Sequence, residues 1–190
     1  MTSPRPDVPN HDRILALIDE GWEIWARFDD SIRRERWHPF VAADYERVLA
    51  ALLPLRAPGL RFLEWGSATG VITIIADLLG FEAYGIELDS WLVDIARDLA
   101  KKYGSTARFV EGSFLPAGYV WRPRDGDARL GTIGEGVSGY AQLGHPLEDF
   151  DVVYAYPWGG EEAMMQDLFR QYGRKGARLL LHGDRDVRLW

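Results

Sequence analysis

Short apolar segments alternate with helical segments through most of this chain, and this alternation limits its fold more than any other feature. Five candidate strands are visible, at 61–65, 81–87, 107–111, 150–156 and 176–182. Consecutive strands that are joined through helices pair in parallel with right-handed crossovers. The pattern therefore predicts an α/β fold with a mainly parallel sheet of at least five strands.

Two helices are predicted before the first strand. Apolar residues recur at three- and four-residue steps from Ile14 to Ile32, with Gly21 weakening the pattern, and a second helix is expected over 41–53, ending against Pro54. The first dozen residues carry three prolines among polar residues and are too polar to order themselves. We therefore expect a flexible tail at 1–12, an N-terminal two-helix cap at 13–60 and a sheet domain at 61–190.

The rhythm of the sheet domain is interrupted at 116–149, which is rich in glycine where a crossover helix is expected. Asp125 and Gly126 stand between two short apolar runs and predict a hairpin or mobile flap there. After the fifth strand only eight residues follow, 183–190, so a shortened C-terminal edge of at most one more strand is expected. An open edge of this kind permits pairing with a second copy, as in a homodimer.

Composition excludes several classes of site. The 190 residues include no cysteine, and the four histidines have no metal-ligand spacing, so we expect no thiol chemistry and no metal site. The formal charge of -7 argues against a nucleic-acid partner and suits a cationic substrate. No apolar run is long enough for a membrane helix and no signal peptide precedes the helices. We therefore expect a cytoplasmic protein without a membrane partner.

A glycine turn follows the first strand, in the run Leu-Glu-Trp-Gly-Ser-Ala-Thr-Gly from Leu63 to Gly70. Gly66 and Gly70 allow a sharp turn on which a ligand can lie, at the edge where parallel sheets bind ligands. The spacing lacks the middle glycine of G-x-G-x-x-G, which makes a dinucleotide pyrophosphate site less favoured. A turn without any ligand is the alternative.

The run reads E-x-G-x-x-x-G, and it resembles the first motif of the class I S-adenosylmethionine-dependent methyltransferases, with Ala68 where glycine is commonest. Glu87 ends the second strand 17 positions after Gly70. The stretch from Tyr84 to Val93 is similar to one in the small protein-lysine methyltransferases of the adenine nucleotide translocase and ATP synthase c subunit, and of their bacterial relatives. Pro39-Phe-Val-Ala and the run starting at Val48 also look similar, and the resemblance covers 37–114.

The resemblance implies a Rossmann-like methyltransferase fold with S-adenosylmethionine as cofactor. Glu64 and the turn would lie along the methionine part of the cofactor, and Glu87 would bind the ribose. Leu88, Ser113 and Phe114 would contact the adenine. In full, the cofactor-binding residues that it implies are Glu64, Trp65, Gly66, Ser67, Ala68, Thr69, Gly70, Glu87, Leu88, Ser113, Phe114 and Tyr154. The resemblance places 154–158 at the methyl group and the acceptor. Our candidate catalytic residues are Tyr156 and Trp158 from this segment and Glu161, a candidate proton acceptor after the end of the fourth strand.

Methyl transfer to an amine, such as a protein lysine or a small molecule, is the activity that the resemblance implies. The reaction needs alignment and exclusion of water more than acid-base groups, and aromatic faces attract cations. An ammonium must first lose a proton, for which Glu161, Glu162 and Asp184 are candidate acceptors. His145 in the insertion and His182 after the fifth strand are the histidines that can contact substrate. Two other functions stay open: a non-catalytic S-adenosylmethionine-binding module and, favoured only by the fold, an NAD-dependent oxidoreductase.

Overall fold

The computed structural model describes residues 8–32, 40–121, 136–158 and 160–190. Within these ranges the main helices are α1 His11–Ser31, α2 Tyr45–Leu52, α3 Val71–Leu78, α4 Ser90–Lys102, α5 Tyr140–Leu143 and α6 Glu162–Tyr172. The strands are β1 Arg61–Trp65, β2 Glu82–Glu87, β3 Arg108–Glu111, β4 Val152–Ala155, β5 Arg178–His182 and β6 Val187–Leu189. Short 3-10 turns lie at Leu53–Leu55 and Leu147–Asp149.

The six strands form one sheet in the order β3-β2-β1-β4-β5-β6. The first five pair in parallel, and β6 runs antiparallel to β5. The predicted parallel α/β sheet with a shortened C-terminal edge is therefore confirmed. Because the chain leaves β1 toward β2 and later returns to β1's other side as β4, a crevice opens between the carboxyl ends of β1 and β4.

The sheet separates two apolar cores, because successive side chains of a strand point to opposite faces. On β1, Phe62 belongs to the core under α1 to α4, whereas Leu63 and Trp65 belong to the core under α5 and α6. The two faces matter for the site because Glu64 lies on the α1 to α4 face.

The N-terminal helices pack on that first core. Asn10 donates from Nδ2 to the carbonyl of Leu78, and Val8 packs against the core, so the ordered fold begins earlier than the predicted tail at 1–12 allows. Residues 1–7 lie outside the described residues. The boundary at residue 60 stays a prediction, since helices on both sides of it share one core.

The second helix begins four residues later than predicted, at Tyr45, because Asp44 caps it. The Asp44 carboxylate accepts a hydrogen bond from the backbone N–H of Arg47, which is the geometry of an N-terminal cap. Residues 40–44 therefore run as irregular chain toward the sheet edge, where they become part of the crevice.

The glycine-rich insertion is partly ordered. Residues 136–139 pair with the loop after β3 through a parallel bridge between Ser113 and Ser138, and α5 follows. The predicted hairpin falls mostly on 122–135, outside the described residues. In the part of the chain that the structure describes, β6 is the edge strand beside β5. The pairing of this edge with a second copy stays a prediction. Among the described helices, none has the length and apolar character needed to cross a membrane.

Candidate functional site

The glycine turn leaves β1 with three residues in the left-handed region. Gly66, Ala68 and Gly70 have φ values of 69°, 44° and 77°. A Cβ on Gly70 would lie 2.7 Å from Ala96 and Phe109, whereas one on Gly66 would meet nothing within 4 Å. Gly70 is therefore required by packing as well as by its backbone angle. Gly66 is required by its backbone angle alone. Because no atom lies near the position of a Cβ there, the space above Gly66 is open.

Glu87 ties this turn to the end of β2. One of its carboxylate oxygens accepts from the backbone N–H of Ala68 at 2.9 Å, and the other from those of Leu88 at 2.8 Å and Asp89 at 3.0 Å. Burial raises the pKa of Glu87, although these three hydrogen bonds act in the opposite direction. Neighbouring strands thus place an oriented carboxylate beside the glycine turn.

Glu64 is buried on the α1 to α4 face, with only 5% of its surface exposed. Its carboxylate accepts from both the backbone N–H and the hydroxyl of Thr73 in the first turn of α3. Gly70 at the start of α3 has no side chain to cap the helix, so Glu64 satisfies a helix N–H from the neighbouring strand. Burial raises its pKa to about 8, with a smaller contribution from Glu87.

A cleft opens at this edge of the sheet and encloses about 320 Å³, including space open to solvent. One wall is the glycine turn, and the opposite wall is the irregular chain before α2 together with Tyr45. The full lining is Phe40, Val41, Ala42, Ala43, Tyr45, Glu64, Gly66, Ser67, Ala68, Thr69, Val71, Ile72, Tyr154 and Tyr156. Six predicted cofactor residues and one predicted catalytic residue thus meet in one cleft.

The side chains of Trp65 and Phe114 lie on the other face of the sheet. Their rings stack at 5.3 Å, and the Trp65 indole N–H donates to the Tyr140 hydroxyl at 3.0 Å. Period-two alternation puts Trp65 opposite Glu64, so only its backbone faces the glycine turn. Cofactor binding by Trp65 and a contact of Phe114 with the adenine stay predictions.

Leu88 and Ser113 stand beyond the cleft, beside the ordered end of the insertion. Ser113 donates from its N–H to the carbonyl of Val137 and accepts at its carbonyl from Gly139 N–H, both at 2.8 Å. A Cβ on Gly136 would lie 2.8 Å from Leu88 Cδ2. The segment at 136–139 therefore borders the region where the resemblance expects the adenine, and the roles of Leu88 and Ser113 stay predictions.

The ends of β4 and β5 bring two tyrosines and a histidine together. The hydroxyl of Tyr154 lies 2.9 Å from His182 Nδ1, and the Tyr156 ring lies over the His182 ring with 4.4 Å between centroids. Tyr154 is buried among Glu64 and Tyr45, and burial raises its pKa far above the ordinary value. The sequence separates these groups by 28 residues, so only the strand pairing brings them together.

Trp158 and Glu161 shape the turn before α6. The Glu161 carboxylate accepts from the backbone N–H of Trp158 at 2.9 Å, and Glu161 N–H donates back to the Trp158 carbonyl at 2.9 Å. Glu162 pairs with Arg188 at 2.8 Å, and Asp184 is exposed. These contacts hold the turn, and a role in catalysis stays a prediction for Trp158 and Glu161.

Sequence reasoning missed the cleft wall formed by Phe40, Val41 and Tyr45. Helical periodicity places Tyr45 only on the buried side of the second helix, whereas in the structure its phenol lies beside Thr69 and Glu64. The Asp44 cap just before it was the available sequence sign that a loop, and therefore a possible wall, precedes the helix.

Comparison with known proteins gives one relative in sequence. Over 107 residues the chain is 32% identical to the ribosomal protein L11 methyltransferase of Thermus thermophilus. The match covers 55% of this chain and 42% of that protein, so the chain spans less than half the length of the curated relative that it matches. No protein-family model matches the chain.

Solved structures share the fold. A methyltransferase of Geobacter sulfurreducens in complex with S-adenosyl-L-homocysteine has a TM-score of 0.53 and 18% identity, with 84% of this chain and 54% of that one covered. Precorrin-6y C5,15-methyltransferase of Geobacter metallireducens has a TM-score of 0.51 and 20% identity, with 80% and 68% covered. An RNA methyltransferase of Salinibacter ruber has a TM-score of 0.50 and 20% identity, with 70% and 72% covered. The chain therefore has the fold of the class I S-adenosylmethionine-dependent methyltransferases.

Proposed function

We propose that this protein is a methyltransferase that binds S-adenosylmethionine in the cleft and transfers its methyl group to an amine. The observation that carries the proposal is the Glu87 carboxylate, held by three backbone N–H groups beside a glycine turn with open space above Gly66. The fold and the relative's name support the same activity.

The residues present fit the cofactor. Backbone N–H groups take three of the roughly four lone-pair sites of the Glu87 carboxylate, and the oxygen that accepts only from Ala68 has one site left to accept from a ribose hydroxyl. The Ser67 hydroxyl is buried and has no hydrogen-bond partner among the described residues, which leaves it for a polar group of the ligand. Ser67 and Ala68 both line the cleft.

The bound cofactor would supply a methyl group on a sulfonium, whose neutral thioether is a leaving group that needs no protonation. The protein's part is to hold donor and acceptor in line and to keep water out. Tyr154 and Tyr156 line the part of the cleft at the end of β4, and aromatic faces there favour a positively charged partner. During transfer the acceptor nitrogen lone pair forms the new bond to carbon while the carbon–sulfur bond breaks, so the positive charge moves from sulfur to nitrogen.

Binding of S-adenosylhomocysteine tests the cofactor. Calorimetric titration of the purified chain should show micromolar affinity, and Glu87→Ala should weaken it by about 1.5–3 kcal/mol, the range for hydrogen bonds to a charged group. Glu87→Gln should fall between the two, because it keeps one acceptor oxygen.

Glu111→Ala is the matched control, since Glu111 is the register partner of Glu87 on β3 and is exposed. It should leave the affinity unchanged. If the folded wild-type protein does not bind S-adenosylhomocysteine but binds NAD, the proposal is overturned in favour of an oxidoreductase.

For the acceptor, we favour an amine of a protein. The relative named for ribosomal protein L11 supports a protein acceptor, and so does the narrower resemblance to small protein-lysine methyltransferases. The net charge of -7 disfavours a nucleic-acid acceptor, but a neighbour named as an RNA methyltransferase has the same fold, so charge alone does not decide. Radiolabelled methyl transfer to ribosomal proteins, with ribosomal RNA as the competing acceptor, separates the two classes.

A further inference from the structure

A buried tyrosine–histidine pair lies at the acceptor end of the cleft. Tyr154 on β4 pairs in register with Leu180 on β5, and His182 lies two residues further on the same face of the sheet. This places the Tyr154 hydroxyl 2.9 Å from His182 Nδ1. Both residues are almost fully buried, at 1% and 5% exposure.

The charges around His182 decide its protonation. Burial lowers the pKa of His182, Arg47 lowers it further, and Asp44 and Asp186 act in the opposite direction. The imidazole is therefore neutral at neutral pH, with one nitrogen as donor and the other as acceptor. When its proton is on Nε2, Nδ1 accepts, and the Tyr154 phenol, which keeps its proton, donates to it.

In this tautomer the hydroxyl hydrogen of Tyr154 points to His182, and the oxygen can only accept from the cleft. Glu64, the register partner of Tyr154 on β1, lines the same space. Tyr156 follows Ala155, the last paired residue of β4, and its ring lies over His182, with 38% of its surface exposed. A group that donates hydrogen bonds complements the Tyr154 oxygen, and the aromatic rings favour a positive charge.

We propose that His182 carries its proton on Nε2 and that Tyr154 and His182 thereby select the acceptor: His182 positions the Tyr154 hydroxyl so that its oxygen accepts a hydrogen bond from the nitrogen of an amine. This inference rests on the proposed methyltransferase function and narrows its substrate class to groups with an N–H. Tyr154 touches the substrate, whereas His182 acts through Tyr154 as a positioning residue.

Two cofactor analogues test the selection without the natural acceptor. S-adenosylhomocysteine has only a sulfur at the reacting position, whereas sinefungin has a carbon there with a protonated amino group. The ratio to measure is the dissociation constant of S-adenosylhomocysteine divided by that of sinefungin. In the wild type it should exceed one, and Tyr154→Phe should reduce it about tenfold, as expected for one hydrogen bond to a charged group. His182→Ala should reduce it less, since the hydroxyl stays but is no longer oriented.

Tyr84→Phe is the matched control. Tyr84 also contacts a histidine ring, with its hydroxyl 3.2 Å from His145 Nε2, but it lies outside the cleft lining. This variant should keep the wild-type ratio, and thermal unfolding checks that all variants are folded.

Acidification provides a readout that a purely structural role would not change. The wild-type ratio is measured from neutral pH downward until NMR of the His182 ring shows that the ring is protonated. Protonated His182 donates from Nδ1 to Tyr154 and turns the phenol hydrogen toward the cleft, so the preference for sinefungin should fall there. In His182→Ala the ratio should not depend on pH in this range.

An unchanged ratio in Tyr154→Phe, or a wild-type ratio that does not change when His182 becomes protonated, overturns the selection while the proposed function stands. Failure of the folded wild type to bind either analogue overturns the proposed function, and this inference with it.

Discussion

At the scale of single residues, Glu64 shows that one carboxylate of a motif can have two tasks. The motif suggests a contact with the cofactor, and the structure adds a cap on α3 through Thr73. Thr73, Tyr45 and Tyr154 face the carboxyl from α3, α2 and β4, and Glu87 adds a like charge from β2. No cation offsets this burial among these neighbours, so the protonated form is favoured.

The raised pKa of Glu64 makes stability depend on pH. Between its ordinary value of 4.5 and about 8, the folded protein holds a proton that the unfolded chain has released. Its contribution to stability is therefore present below about pH 4.5 and is lost as the pH rises toward 8, by at most about 1.4 kcal/mol per pH unit.

Glu64→Gln should abolish this dependence. In urea unfolding, the free energy of unfolding of the variant should increase relative to that of the wild type as the pH rises. The titration of His182 cancels in this difference because both proteins contain it. A difference in free energy that stays constant over the range would contradict the assignment.

Ala68 has a φ of 44°, a left-handed conformation that costs a residue with a Cβ roughly 1–2 kcal/mol. Ala68→Gly removes this strain but adds entropy to the unfolded chain. We expect a net gain of about 0.5–1 kcal/mol in the free energy of unfolding, measured by denaturant titration. Ala50→Gly, at an exposed position of α2, should instead lose about 1 kcal/mol.

At the scale of elements, Gly21 in the middle of α1 sets how closely that helix packs. A Cβ there would lie 2.9 Å from Val71 Cγ2 and 3.0 Å from Tyr45 Cε2. The glycine that weakens the helix in sequence therefore brings α1 onto the start of α3, beside the wall of the cleft.

A double-mutant cycle tests this contact. Gly21→Ala gains about 1 kcal/mol of helix propensity but overpacks the interface by about 1–3 kcal/mol, for a net loss of about 1 kcal/mol. In Gly21→Ala with Val71→Ala, the space left by valine should accept the new methyl group, so the double variant should lose less than the sum of the single losses. Additive losses would show that the two positions do not share the contact.

At the scale of the whole molecule, the strand order decides where the site lies. The order places β4 beside β1 although some 90 residues separate them, and Arg61 N–H donates to Asp151 across that gap at 2.8 Å. The cleft forms at the opposite, carboxyl end of the same parallel pair, where the order of the strands in the sheet reverses between β1 and β4. Its lining therefore comes from three separate parts of the chain: the loop before α2 with the start of that helix, the end of β1 with the glycine turn and the start of α3, and the end of β4.

The sequence by itself determined the local elements. The strand–helix alternation predicted β1 to β5 to within two residues, and the glycine turn and Glu87 were placed at the ends of the right strands. These features depend on periodicity and turn chemistry, which neighbouring residues decide among themselves.

Only the tertiary structure decided which side chains share the cleft. Strand pairing turned Glu64 and Tyr154 to one face and Trp65 to the other, and brought His182 to Tyr154. The Asp44 cap left residues 40–43 free to form the second wall. Register and strand order join residues that are far apart in the chain, and they follow from burying both faces of the sheet at once, which no local pattern specifies.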